Sequence, residues 1–431
     1  EEYTVSTMEG LCGGVECVSV YGSSVFAGTS QGVITIWDLE KRRYVNKIIG
    51  HSDRITAVKL SDGIIASAST DNTVRLTDMK NLDFLRALRG HTGPILCLDL
   101  NSNMCVTGSQ DMGIRVWDIR DGQQTGELVG HEGPIRCLQL GPRGPSDSTP
   151  IAVSGSEDGT VKIWDLRKFS CLLTLPGHTD WIKKVAFDMQ YVISSSYDCT
   201  VKVWDLLNGT CLKTLSEHTN AVNSFIFRPA QQEVISASAD GTIRSWNITT
   251  GTCSSVFKGH SEEVTTLSDM MDGRFVSASF DNTIRVWGSK GKCIRVLRGH
   301  SDWPTALCCT EAKDIISGSW DGTVKAWKLR EDETLPTDSL MSPRPSSLVP
   351  SLHRTGSFPD LGVLGSMDSL GASSSSQAGV PPTGSATPSA PHTARTPLPS
   401  SSKLHGGGSS LSLRGSSPGF RLDALKKVIK F

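Results

Sequence analysis

Residues 177–205 read GHTDWIKKVAFDMQYVISSSYDCTVKVWD, and a version of this unit recurs seven more times along the chain. That recurrence restricts the possible folds more than any other feature. A Gly-His pair opens the unit and an alternating apolar run, 182–187, follows. A second run, 191–196, then leads through an Asp-containing turn at Asp198 to a third run ending in Trp204-Asp205. Period-two alternation with Val, Ile and Trp enrichment marks each run as a short strand, and the breaks between runs are turns. The unit endings are Trp37-Asp38, Thr77-Asp78, Trp117-Asp118, Trp164-Asp165, Trp204-Asp205, Trp246-Asn247, Trp287-Gly288 and Trp327-Lys328, spaced 40, 40, 47, 40, 42, 41 and 40 residues apart. Self-similar units of this length bury their apolar faces by stacking on one another, so the array has to be read as one structure.

A period of about 40–45 residues with Gly-His near the start and Trp-Asp at the end is the pattern of WD40 propeller blades. On those residues the chain resembles the WD-repeat family across 1–330. The resemblance implies an all-β fold, a WD40 β-propeller; beyond it, a Ser/Pro/Gly-rich composition without Trp or Tyr reads 331–418 as a disordered linker, and helical apolar spacing reads 419–431 as a short basic amphipathic helix. The blade count follows from the first unit. Residues 15–20, 25–29 and 33–37 supply three strands, but Leu11-Cys12-Gly13-Gly14 stands where Gly-His belongs. Later units place a fourth, outermost strand just before Gly-His, as at 44–49 or 293–297. Eight inner sets thus have only seven outer strands following them, and residues 3–8 can fill the vacancy beside the last blade. Closing the ring in this way removes free sheet edges. The expectation is eight blades closed by an N-terminal strand; seven, with the first set as an irregular flank, is the alternative.

Composition narrows the function classes. Residues 335–431 hold nine Lys/Arg against four Asp/Glu, an excess of five, which leaves −6 on the rest of a chain whose net charge is −1. An acidic ring is a poor nucleic-acid binder. No apolar run approaches the roughly 18–20 residues of a membrane span, and the chain, beginning at Glu1 without a secretory leader, reads as part of a longer protein with a domain upstream. Of the twelve cysteines, Cys171, Cys211, Cys253 and Cys293 recur once per unit, the mark of a packing position. Cys97, Cys105, Cys137, Cys308 and Cys309 sit in apolar strands, and CxxC pairs are absent. Free thiols fit a reducing cytoplasm, or the nucleus, and no zinc site is expected. The lengthened turn 140–150 of the fourth unit reads as a surface loop, and Thr77, in place of Trp, should loosen the packing of the second.

Seven units carry a His (His51, His91, His131, His178, His218, His260, His300) and an Asp before the third strand (Asp71, Asp111, Asp158, Asp198, Asp240, Asp281, Asp321), with Ser or Thr two and four residues before each Asp. A Ser-His-Asp hydrolase is one reading. Seven active sites without a substrate cleft or nucleophile elbow make it untenable. The resemblance implies instead a hydrogen-bonded network joining Asp, His, a strand hydroxyl and Trp within each blade, and paired polar groups of this kind fix turn geometry. Neither catalysis nor a cofactor or metal is expected.

If recurring residues build the ring, function belongs to the positions that vary. Five residues after the His lie Thr56, Leu96, Arg136, Lys183, Asn223, Thr265 and Thr305; just before the Asp lie Thr70, Gln110, Glu157, Tyr197, Ala239, Phe280 and Trp320. Both sets are expected on the channel face. Trp181 and Trp303, three residues after their His, are with Trp320 the tryptophans outside the Trp-Asp positions. Aromatics in surface turns beside Arg136 and Lys183 compose a binding hot spot for a protein partner, a peptide or loop, acidic or phosphorylated; the alternative is that Trp181 and Trp303 fold back over their own blades. Eight-bladed WD rings behind an F-box serve as ubiquitin-ligase substrate receptors that read phosphorylated motifs through channel-face arginines. Arg136 matches one such position, whereas the other positions carry Thr, Leu and Asn and no F-box precedes the ring. Related rings also belong to membrane-trafficking and signalling regulators. The tail carries minimal proline-directed phosphosites (Ser342, Thr387, Thr396, Ser417), and Leu422, Leu425, Val428 and Ile429 at helical spacing suit a protein or membrane surface.

Overall fold

The computed structural model describes residues 3–11, 13–144, 149–288 and 291–330. The assignments made for 331–418 and 419–431, and part of the 140–150 loop, lie outside them. The described residues form thirty-two strands in eight four-stranded antiparallel sheets, with one 3-10 turn at Pro229–Gln231. Strand β1 (Tyr3–Met8) pairs with the last strand, Val324–Leu329, from Tyr3 opposite Leu329 to Met8 opposite Val324. Strands β2 (Val15–Tyr21), β3 (Ser24–Thr29), β4 (Val33–Asp38) and β5 (Arg43–Ile49) form blade 1 from the inside outward. The ring therefore has eight blades, and the N-terminal segment is the outer strand of the eighth.

The second strand of each blade is buried almost continuously, as at Tyr191–Ser196, because both faces of each blade meet a neighbour. The buried core is accordingly divided into eight clusters, one per joint. Ile151, Val153 and Leu175 of blade 4 meet Ile182, Phe187 and Trp204 of blade 5 in one of them. At the closure, Met8, Ile316 and Val324 of blade 8 meet Val15, Val25 and Trp37 of blade 1. Blades approach closely where the second strand carries glycine. A Cβ on Gly155 would lie 2.4 Å from the Ile182 Cγ2 of the next blade and 2.7 Å from Cys137 Sγ. Gly155→Ala is therefore expected to cost about 1–3 kcal/mol through overpacking, read as a lowered denaturant midpoint; an unchanged midpoint would show that the joint can yield.

Two expectations need correction. Cys171 and Cys211 are exposed, not packed. They lie on outer strands, opposite Trp164 and Trp204 at a register shift, and each Sγ turns to a carbonyl of its own strand, Leu173 and Lys213, at 3.4 and 3.5 Å. Blade 2 is also not loosened at Thr77, which is buried. In five other blades the Trp edge covers the glycine before His, as Trp204 covers Gly177; in blade 2 the Arg75 guanidinium covers Gly50 and lies 4.9 Å over the Phe84 ring.

Candidate functional site on the channel face

The repeated polar residues form the network that the family resemblance implies. In blade 5, His178 Nδ1 lies 2.6 Å from Asp198 Oδ2, His178 Nε2 lies 2.8 Å from Ser194 Oγ, and Trp204 Nε1 donates to the same Oγ at 2.8 Å. The His–Asp distance stays within 2.6–2.9 Å in all seven copies. Donor bookkeeping assigns the protons. The indole N–H donates to the hydroxyl, the hydroxyl donates to Nε2, and the Nδ1–H of a neutral imidazole donates to the carboxylate. Asp198 also accepts from the Thr179 and Thr200 backbone N–H groups and from the Thr200 hydroxyl. Burial pushes that carboxyl up, but the bonds from His178 and Thr200 outweigh it and hold it well below the ordinary carboxylate range. Ser194 is fully buried and committed at both ends, so it presents no nucleophile to a substrate.

The varying residues are positioned by two backbone devices. Each innermost strand has a register shift between its first and third residues, for example Ile135/Cys137 and Ile182/Lys184. The residue between them is the one five after His. This bulge re-aims Thr56, Leu96, Arg136 and Lys183 toward the channel, and blade 1 contributes Glu16 in the same way. The second device is a backbone bond from the residue before Asp to the loop that follows His: Tyr197 N to Trp181 O at 2.9 Å, and Trp320 N to Trp303 O at 3.0 Å. It draws the two variable sets together, and Glu16, Arg54, Thr56, Thr70, Leu96, Gln110, Arg136 and Lys183 share the lining of one cavity of about 530 Å³.

The candidate partner-binding residues fall into two groups. Arg136, Trp181, Lys183 and Tyr197 form the first. Trp181 meets Tyr197 edge-on at 5.6 Å, the Arg136 guanidinium lies 5.3 Å over Trp181, and Lys183 Nζ lies 5.0 Å over Tyr197. Phe280, Trp303 and Trp320 form the second, stacked at 4.4 Å and then tilted at 5.7 Å. Trp181, Tyr197 and Trp320 remain 41%, 37% and 36% exposed, against 1% for Trp204, so the odd aromatics stay at the surface. Trp303 is half-buried between its two neighbours. The sequence reading missed two partners. Arg136 is ion-paired with Glu157, and Arg54 lies 3.8 Å from Glu16. The acidic residue stood in the second variable set, but nothing in its spacing marked it as the partner of Arg136; blade 1, lacking His, hid Glu16.

The ring architecture and its seven Asp-His-hydroxyl networks accord with a family model, WD domain, G-beta repeat, that matches residues 42–78, 82–118, 122–165, 169–205, 209–247, 251–288 and 291–328. The chain belongs to the WD40 family. Strands β2 to β4 of blade 1, which lacks Gly-His, are outside these matches yet complete the ring. The WD40 chain is similar to a computationally designed protein, Ika8, whose crystal structure superposes with a TM-score of 0.69 at 32% identity, covering 75% of this chain and 98% of that one. It also resembles Meiotic fizzy-related protein 1 of Schizosaccharomyces pombe, 38% identical over 50 residues, which is 12% of this chain and 12% of that protein. WD40 rings are protein-interaction modules, and this one is a scaffold of that kind. Among the described residues no group of His, Cys, Asp and Glu is arranged to hold a metal ion.

Proposed function

We propose that the channel face of this ring docks a short segment of a partner protein and does no chemistry on it. The observation that carries this reading is the Phe280–Trp303–Trp320 stack, a partly exposed aromatic surface, with Trp320 at its outer edge, that has no role in the blade networks. Trp320 would anchor an apolar side chain, and the Trp181–Tyr197 pair with Lys183 would hold an acidic residue of the same segment. The free state of all eleven described cysteines is in keeping with a cytoplasmic or nuclear setting. Substrate reception for a ubiquitin ligase is the finer alternative. The Glu157 carboxylate already engages Arg136, the cation such a receptor would turn toward a phosphorylated motif, and this favours plain peptide docking. The likeness to a fizzy-related protein over one short stretch leaves the pathway open.

Affinity purification with quantitative mass spectrometry provides the test. Trp320→Ala should reduce recovery of a defined partner set about tenfold or more, the loss typical of a truncated interface anchor, with the melting temperature nearly unchanged. Arg136→Ala should act less strongly. Identical partner sets from wild type and Trp320→Ala, both folded, would remove the reading.

A further inference from the structure

The outer wall of blades 1 and 2 departs from the rest of the ring. Opposite the Trp of the third strand, the outer strand carries Cys171, Cys211, Cys253 and Cys293 in blades 4 to 7, and Gln124 in blade 3. In blades 1 and 2 the same register position holds Tyr44 and Phe84, which are 50% and 54% exposed. Strand β5 differs in a second way. Each other outer strand buries one residue near an end, such as Leu88 or Leu215; β5 buries none and is exposed at six of its seven positions, Val45 and Ile49 included. Its free backbone edge is thus flanked by uncovered apolar side chains. The Lys47 N–H is met by Oδ1 of its own neighbour, Asn46, at 2.8 Å. Arg75 continues the surface into blade 2, lying on Gly50 at the end of β5 and over the Phe84 ring.

Charge selects the kind of partner. Lys41 is paired with Asp38 at 3.2 Å, but among the described residues Arg43, Lys47 and Arg89 meet no carboxylate. The wall is cationic on a ring of net negative charge. Cations on an edge strand deter a strand of like charge, and a second copy of this chain would bring the same cations to the same edge. We infer that β5 accepts an extended acidic segment of a partner protein as a fifth strand of blade 1. Main-chain hydrogen bonds to the edge supply affinity, and alternate side chains supply specificity. Ile48 packs into the joint with blade 2, so Lys47 and Ile49 stand together on the opposite face. They fit a carboxylate and an apolar side chain two residues apart in the added strand. The inference does not rest on the channel-face reading, because β5 is the outermost strand of its blade and the channel is lined by the innermost.

The test is to pan a displayed library of short random peptides on the full chain and on a wall variant carrying Arg43→Glu and Lys47→Glu, both shown to be folded by thermal melts. Support is enrichment of peptides with Asp or Glu two residues from Val or Ile, whose affinity falls about tenfold or more on the wall variant, the scale of a lost charge-assisted contact. The same peptides should protect the 43–49 amides from hydrogen exchange and should bind Trp320→Ala as they bind wild type. That equality separates this wall from docking on the channel face, which Trp320→Ala removes. Lys47→Gln, a single exposed substitution, keeps the comparison open if charge reversal unfolds the strand. No enrichment, equal affinity for wild type and wall variant, or binding without protection of β5 overturns the inference. Capture by phosphatidylserine vesicles that the wall variant loses, with no peptide enriched, would assign the wall to lipid. A wall-dependent dimer in sedimentation would assign it to a second copy; either result also overturns the strand.

Discussion

Asp198→Ala is expected to lower the stability of the ring by about 2–4 kcal/mol, the range for removing one member of a buried, fully paired polar network. The carboxylate takes four donors: His178 Nδ1, the Thr179 and Thr200 N–H groups and the Thr200 hydroxyl. Without it, the imidazole loses the acceptor that fixes its tautomer, and the Ser194 hydroxyl beneath loses its directed acceptor. Asp198→Asn should recover little, since the amide nitrogen would face donors. The same network makes stability depend on pH. The Asp198 carboxyl sits below its unfolded value, so its contribution is complete above about pH 4 and is lost as pH falls further. Burial lowers the pKa of His51, His91, His260 and His300, with the charge and hydrogen bond of the paired Asp opposing it only in part. The folded ring therefore holds fewer protons than the unfolded chain just below about pH 6.5, and stability declines from there as pH falls. Thermal melts should show a gradual loss beginning near pH 6.5 and a steeper one below about pH 4. A melting temperature constant down to about pH 4 would mean that the histidines are not neutral in the fold.

Much of this arrangement was legible in the sequence, because what recurs is dictated by packing that recurs. A His 20–27 residues before an Asp, with Ser or Thr between them, recurs because seven blades close the same turn, six of them over a Trp. The role of residues 3–8 was legible for a topological reason: eight inner sets and seven following outer strands leave one vacancy. Blade partners were not legible. Glu157 stands one residue before Asp158 and reads as a surface acid until the bulge at Ile135/Cys137 turns Arg136 over it. The Arg136–Trp181 and Trp303–Phe280 contacts join neighbouring blades, and no local pattern reports which side chain reaches across. Cys171 was misplaced for a related reason. Its strand is the outermost, with no sheet beyond it, so a repeated small residue there faces solvent.

Replacing Tyr3–Met8 by a Gly/Ser segment of equal length should be the most damaging change in the ring that leaves every blade's inner strands untouched. Strand β1 supplies six register partners to the last strand. Tyr3 lies 5.7 Å from the fully buried Trp327, and its hydroxyl bridges the backbone N–H and C=O of Arg298. Thr7 accepts from Lys325 Nζ at 2.9 Å, and Met8 enters the cluster that joins blades 8 and 1. Loss of the Met8 and Tyr3 side chains alone is worth about 3–5 kcal/mol by the cost of large-to-small core changes. The chain entropy of glycine adds to that. The uncovered edge of Val324–Leu329 would also present unpaired backbone groups beside an apolar joint, an arrangement that recruits other strands. The expected result is a large fall in denaturant midpoint together with concentration-dependent association seen by light scattering. Tyr3→Ala, which keeps the strand, should destabilise without association. A Gly/Ser variant that stays monomeric at the wild-type midpoint would mean that the ring is held by its eight inner joints alone, and that the N-terminal strand merely decorates the last blade.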